Sequence, residues 1–310
     1  MGTFEEFVAA SPVYGEMYSR LEAAERKLAF SASAVYEVHG EALARIAEPL
    51  LGYARRRFGA DAAERYAERC RELEALQERF DRDRRVETLG APDRQVAPDE
   101  YHLALLLSIV FTNHRFEILQ QLEKFLAALG PQGALAALGI GTGYELKLAA
   151  EILPRWELEG YDIDSTAESE ARGILRHFGI AREIRFGAEF PIGAPDAARK
   201  GRYDAIVACE VLEHLADPAQ ALRTMREYLA SADAASGRPA GRMFVTMAVN
   251  MAQEDHIYLY PDLDSCRGQV RDCGFGIVEE WITPQTLWPP PANREKKFKR
   301  GNYVAVLSAV

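Results

Sequence analysis

The chain has 310 residues, 48% of them apolar and 27% charged, an ordinary globular composition with room for more than one compact unit. A formal net charge of −10 argues against nucleic acid as the default partner, because phosphate contacts need clustered Lys and Arg. The four cysteines (Cys70, Cys209, Cys266, Cys273) are scattered, Glu5 and Glu6 sit where a signal peptide would be apolar, and no apolar run matches a bilayer's thickness; we expect a reduced, cytoplasmic protein without a membrane span.

In chain order, residues up to 129 lack strand alternation and glycine turns and read as helices. Thr3 and Glu6 have the spacing of a capping box. Helices are predicted over Tyr14 to Phe30, Ser33 to Phe58 (with Gly40 weakening its middle) and Asp61 to Phe80. Asp81 to Ala97 is polar, contains Gly90 and Pro92, and reads as a loop. Pro98, Asp99 and Glu100 then start a helix running to about Ala128, since Pro and acids suit a first turn. Its stretch Leu103 to Phe111 is apolar all round, which predicts burial on several sides. His114 and Arg115 are candidates for a cap over a substrate, with Arg115 facing a carboxylate; the alternative is a packed helix with Arg115 paired to a nearby acid. Tyr14, Tyr18 and Tyr36 line either a pocket or the core. The basic runs Arg55 to Arg57, Arg82 to Arg85 and Arg294 to Arg300 are local and read as solvated surface.

From 130 to 310 strands and helices alternate, which predicts an α/β, doubly wound, mostly parallel sheet. The organisation expected is therefore a helical cap, substrate or dimerisation region over 1–129 and a sheet domain over 130–310. Ala134 to Leu138 is the first strand, followed by a turn with Gly139, Gly141 and Gly143 and a helix over Leu146 to Leu153. Alternate glycines let the backbone approach a ligand closely, because no Cβ intervenes and positive φ costs little. A dinucleotide turn reads G-x-G-x-x-G, but Tyr144 stands where its last glycine belongs, and no Gly-Lys-Ser/Thr follows to make a P-loop. The second strand, Trp156 to Tyr161, ends in Asp162-Ile163-Asp164. A carboxylate at that strand end suits the two hydroxyls of a ribose, leaving Asp164 or Ser165 to cap the next helix; in the plainer reading Asp162 is itself a cap.

Glu183 to Phe186 reads as a third strand ending at Gly187-Ala188-Glu189. Tyr203 to Ala208 is a buried fourth strand, and Cys209-Glu210-Val211-Leu212-Glu213-His214-Leu215 follows at once. Ala230 to Ala240 is a surface loop before a fifth strand over Met243 to Ala248. Phe275 to Trp281 and Tyr303 to Val310 are the last two strands, joined by a proline-rich, basic connection over Thr283 to Gly301.

The turn LGIGTG (138–143), the strand end GYDID (160–164) and the segment YDAIVACEVLEHLADP (203–218) together resemble class I S-adenosylmethionine (SAM)-dependent methyltransferases, over roughly residues 130–250. The resemblance implies a seven-stranded sheet whose last strand is antiparallel. It also implies SAM as cofactor, with Gly139, Gly141 and Gly143 near its methionine moiety and Asp162 on its ribose. Many members carry an Asp after the third strand for adenine. This chain has Gly187-Ala188-Glu189 there, which makes Glu189 the candidate. Glu210, at the end of the fourth strand, is a further candidate on the cofactor side.

Glu210, Glu213 and His214 are spaced i, i+3, i+4, so on a helical turn they share a face at the carboxyl end of the sheet, where ligands bind in such folds. His256, on the loop after the fifth strand, completes a set of two carboxylates and two imidazoles, a divalent metal site in composition. This resembles metal-dependent O-methyltransferases with an E-x-x-E-H segment, including the ubiquinone-pathway enzymes, and the small-RNA terminal 2′-O-methyltransferases. Imidazole ligands suit Mn, Fe, Co or Zn better than Mg. Without metal, His256 or His214 is a general base, or a hydrogen-bonding loop histidine.

The reading reached from sequence is a SAM-dependent methyltransferase of a small molecule at oxygen. The alternatives are N- or C-methylation of a small molecule or peptide, and a non-catalytic SAM-binding partner subunit whose helices make a dimer. A bound metal favours oxygen as acceptor, since a hydroxyl needs help to lose its proton and an amine needs less.

Overall fold

The computed structural model describes residues 2–85, 96–193, 195–233, 235, 237–285 and 298–310. The chain forms two compact units. The first holds Met1–Leu119, Ala252–Glu254 and the described part of 283–298; the second holds Gln120–Met251, Asp255–Ile282 and Lys299–Val310. Most of the basic run 294–300, and most of the loop predicted over 81–97, lie outside the described residues.

The first unit is helical: α1 (Phe4–Ala10), α2 (Pro12–Ala24), α3 (Arg26–Phe58), α4 (Ala62–Asp83), α5 (Pro98–Phe111) and the start of α6 (Asn113–Ala127). Thr3 and Glu6 make the reciprocal bonds of a capping box on α1. Ser11, at the start of α2, gives no side-chain cap; Glu48 of α3 supplies it by accepting from Val13 N and Tyr14 N, both at 3.0 Å. Gly40 leaves helical geometry (φ 10°, ψ −87°) and kinks α3. The single helix expected from Pro98 to about Ala128 is two helices. Thr112 is extended (φ −130°, ψ 133°) and its hydroxyl donates to Ser108 O at 2.7 Å, closing α5 before α6 starts. Tyr14 and Tyr36 are buried and pack with Phe4 and Phe7, as the core reading has it, whereas Tyr18 is only half-buried, against Phe4 and Tyr14. His114 and Arg115 are both buried.

The second unit is built on a seven-stranded sheet: β1 (Ala134–Leu138), β2 (Glu157–Tyr161), β3 (Arg185–Gly187), β4 (Ala205–Ala208), β5 (Arg242–Val249), β6 (Phe275–Pro284) and β7 (Gly301–Ala309), in the order β3-β2-β1-β4-β5-β7-β6. Helices α7 (Tyr144–Ile152), α8 (Ala167–His177), α9 (Pro218–Tyr228) and α10 (Leu263–Asp272) connect them. The pairs among β1 to β5 are parallel, and β7 runs antiparallel to β5. Central parallel strands are buried on both faces, which is why β1 and β4 are continuous apolar runs and β5 is apolar apart from Arg242 and Thr246. Glu159 of β2 is buried and accepts from the hydroxyls of Tyr161 (2.6 Å) and Tyr203 (2.7 Å) and from Arg202 (2.5 Å). Burial opposes its charge, but those bonds prevail and bring its pKa down to about 2.

Register sets up the site. Leu138 lies opposite both Tyr161 and Ala208, Tyr161 opposite Gly187, and Ala208 opposite Val245. The strand ends are level, so the residues that follow β1, β2, β3 and β4 leave the sheet along one edge.

Candidate active site

Gly139, Gly141 and Gly143 all have positive φ (61°, 47° and 78°), the left-handed region where side chains are disfavoured. For two of them the space is claimed by the protein. A Cβ on Gly139 would come within 2.7 Å of Val211 Cγ2, and one on Gly143 within 2.4 Å of Ala171 Cβ. Those two positions are glycine for packing against the β4 loop and α8, a reason the sequence did not disclose. No side chain caps α7 at Gly143, so its first N–H groups are left for another acceptor.

Asp162 ties this turn to β2. Its Oδ2 accepts from Gly141 N at 2.8 Å and its Oδ1 from Asp164 N at 2.9 Å. Each oxygen keeps a lone pair for a hydroxyl. Asp164 forms an Asx turn ahead of α8, its Oδ1 accepting from Thr166 N and from the Thr166 hydroxyl, both at 2.8 Å; the helix's N-cap is Thr166, not Asp164 or Ser165, and no side chain caps it. Between the two acids, Ile163 is 90% exposed. Glu189 is exposed two residues past β3 and makes no hydrogen bond among the described residues.

The E-x-x-E-H segment is not one helical face. Glu210 has φ 55°, which turns the chain out of β4 the left-handed way, and only Leu212–His214 follows as a 3₁₀ turn. The i, i+3, i+4 spacing therefore does not give Glu210, Glu213 and His214 a shared helical face. Glu210 Oε1 accepts from the Thr246 hydroxyl and from Asn302 Nδ2, both at 2.6 Å, while its own N–H donates to Thr246 Oγ1 at 2.7 Å. Glu213, His214 and His256 do converge: one ligand atom of each lies within 4.8 Å of the others. Glu210 is not in that group.

The groups that converge are held from behind. His256 Nδ1 faces Met251 O at 2.8 Å, and His214 Nδ1 faces Asp255 O at 3.2 Å and Asp255 Oδ2 at 3.3 Å. Acceptors at Nδ1 assign the proton to that nitrogen and leave the lone pair on Nε2; such a contact is usual behind a ligating or basic histidine. The two rings meet edge to face, 4.9 Å between centroids. Glu213 O accepts from Ile257 N and Tyr258 N, both at 3.0 Å, which stitches the 3₁₀ turn to the His256 loop.

Glu213 is 0% exposed, and neither carboxylate oxygen has a hydrogen-bond partner among the described residues. Burial, then the charges of Glu210 and Asp255, raise its pKa well above the ordinary glutamate range, and nearby backbone amides offset this only in part. Burial, then His214, push His256 down to about 4. A carboxyl with no hydrogen-bond partner and an imidazole kept neutral thus converge, with Glu210 and Asp255 as charged neighbours. A cation there would satisfy both.

Sequence reasoning missed Asp255, the Met251 carbonyl, Thr246 and Asn302. Thr246, a hydroxyl inside the apolar run of β5, was the available signal. The helical unit has a separate cavity of about 280 Å³ lined by Arg65, Glu68, Arg69, Glu72 and Glu100, which sequence reading did not anticipate.

Residues 137–232 match the model of a methyltransferase domain family. No curated protein sequence matches the chain. Among solved structures, the CurJ carbon methyltransferase superposes with a TM-score of 0.50 at 16% identity, over 78% of this chain and 71% of that one. Geranyl diphosphate methyltransferase in complex with SAM gives 0.48 at 16% identity, over 71% and 96%. The N-methyltransferase NodS from Bradyrhizobium japonicum gives 0.43 at 16% identity, over 63% and 87%. The seven-stranded sheet with its antiparallel β7 is the class I methyltransferase fold, and residues 137–232 within it match a methyltransferase domain.

Proposed function

We propose that the protein is a SAM-dependent methyltransferase that methylates an oxygen of a small molecule, with Glu213, His214 and His256 as its reaction centre. One observation carries this reading: a fully buried, unpartnered carboxyl meets two imidazoles whose Nδ1 atoms are already engaged. That set lies at the carboxyl edge of the sheet, downstream of the glycine turn in the same unit.

The residues suit SAM. Asp162 offers lone pairs to ribose hydroxyls, exposed Ile163 offers an apolar platform to a flat base, and the uncapped start of α7 offers N–H groups. Glu189 remains the adenine-side candidate by position alone. Glu210 reads as a support, because its carboxylate is engaged by β5 and β7. SAM supplies an electrophilic methyl group on a sulfonium. The chain's own work is to orient the acceptor oxygen and accept its proton, and a neutral imidazole with a free Nε2 does the latter.

The same three residues would hold a divalent metal through one carboxylate and two imidazoles, a donor set that suits Mn, Fe, Co or Zn before Mg. When bound, such an ion would supply Lewis acidity that eases loss of the hydroxyl's proton. In its absence His256 is the base. The net charge of −10 favours a small molecule over RNA. Calorimetry with SAM, followed by detection of S-adenosylhomocysteine across hydroxylated, amino and carbon acceptors, tests the proposal. SAM binding without turnover on any acceptor would favour a non-catalytic subunit.

A further inference from the structure

The loop after β5 changes units twice. Met251 and Asp255 belong to the sheet unit, but Ala252–Glu254 belong to the helical unit. Within the helical unit, α4 grips those residues at two points. Arg69 Nη1 and Nη2 donate to Glu254 Oε1 and Oε2 at 2.5 and 2.6 Å, and Gln77 Oε1 accepts from Ala252 N at 2.9 Å. Arg69, Gln77 and Glu254 are 5%, 6% and 6% exposed. Arg69 and Gln77 sit roughly two turns apart on α4, so the grip has length as well as strength.

A buried ion pair is a poor source of stability, because desolvation offsets most of the attraction. A bidentate fork is, however, a stringent source of geometry. The gripped residues lie inside the ring that the His256 Nδ1–Met251 O bond closes. Moving residues 252–254 changes the ends of that bond. We infer that Arg69 and Gln77 are positioning residues: by holding Glu254 and Ala252 they set the orientation and tautomer of His256. The inference rests on the reading of Glu213, His214 and His256 as the reaction centre.

The test uses the full chain with ¹⁵N-labelled histidine. Replacing Arg69→Met and Glu254→Met together removes both charges and leaves no uncompensated buried ion. In the wild type, His256 carries its proton on Nδ1. In the double variant we expect a mixture dominated by the Nε2–H tautomer usual in water. We also expect amide exchange over 252–258 to be at least tenfold faster, with β1 and β4 amides and SAM affinity unchanged. An unchanged tautomer and unchanged exchange overturn the inference. If the double variant does not fold, Gln77→Leu, which keeps the ion pair, decides by the same two readouts.

Co(II) added to the wild type separates this inference from the functional reading. If Co(II) binds, the double variant should weaken it by about tenfold, the lower end for loss of a group that orients a ligand. If the wild type takes up no Co(II), the metal reading fails while tautomer and exchange still decide the clamp.

Discussion

Gly143→Ala isolates what the glycine turn is for. The substitution meets two penalties. A side chain at φ +78° costs roughly 1–2 kcal/mol, as left-handed residues ordinarily do. The new Cβ would also lie 2.4 Å from Ala171 Cβ and 2.5 Å from Ala171 Cα, an overpacking that adds roughly 1–3 kcal/mol. The sum is about 2–5 kcal/mol. Gly179→Ala is the control, because Gly179 has φ +72° and nothing within 4 Å of its Cβ position. It should cost only the conformational part. Urea unfolding followed by circular dichroism measures both, compared at constant m-value. Adding Ala171→Gly to Gly143→Ala should recover only part of the loss, because the backbone of residue 171 still crowds the new methyl group. If Gly143→Ala destabilises no more than Gly179→Ala, the packing account of this glycine is wrong, and ligand approach is the better reason for it.

Further outcomes follow from the site. Asp162→Ala should weaken SAM binding about 10- to 100-fold by calorimetry, the loss of a charged hydrogen-bond partner; unchanged affinity would remove Asp162 from the cofactor site. Glu213→Ala and His256→Ala should abolish Co(II) binding while Glu210→Gln retains it, since Glu210 is engaged with Thr246 and Asn302; equal loss in all three would restore Glu210 as a ligand. Glu213→Gln should gain stability relative to metal-free wild type as pH rises above the ordinary glutamate range. The raised pKa means that the folded wild type holds a proton the unfolded chain has released, so its stability falls with pH there. A pH-independent difference between the two would show that Glu213 is charged in the fold. Glu159→Gln should narrow the stability gap to wild type as pH falls through the ordinary carboxylate range towards 2, where the depressed pKa gives up its contribution; a constant gap would refute it.

The strands are legible because buried parallel strands leave unbroken apolar runs, and the bounds of β1 can be read to the residue. The break at Thr112 is not, because a threonine between two apolar helical stretches has no strong local signature; its cap depends on a bond back to Ser108. In the site, residue type and strand ends are enough to group Glu213, His214 and His256. Helical spacing adds Glu210 to the same group, but that spacing assumes helical φ. A left-handed residue at a strand end breaks the assumption, and nothing in the types of residues 209–212 reveals it. Arg69 and Gln77 are hidden for a different reason: they lie on the buried face of an otherwise polar amphipathic helix, where their partners are about 180 residues away.

Glu210 has a consequence for which changes this protein can tolerate. It holds a conformation that glycine adopts more easily, at a strain of about 1–2 kcal/mol. A glutamate codon becomes a glycine codon by changing one nucleotide, GAA to GGA. The backbone would relax under that change, yet Thr246 and Asn302 would lose the carboxylate that binds β5 and β7 at the edge of the site. Position 210 is therefore a point where chain conformation and side-chain chemistry pull in opposite directions, and where the easiest mutational relief removes the group the strain serves to place.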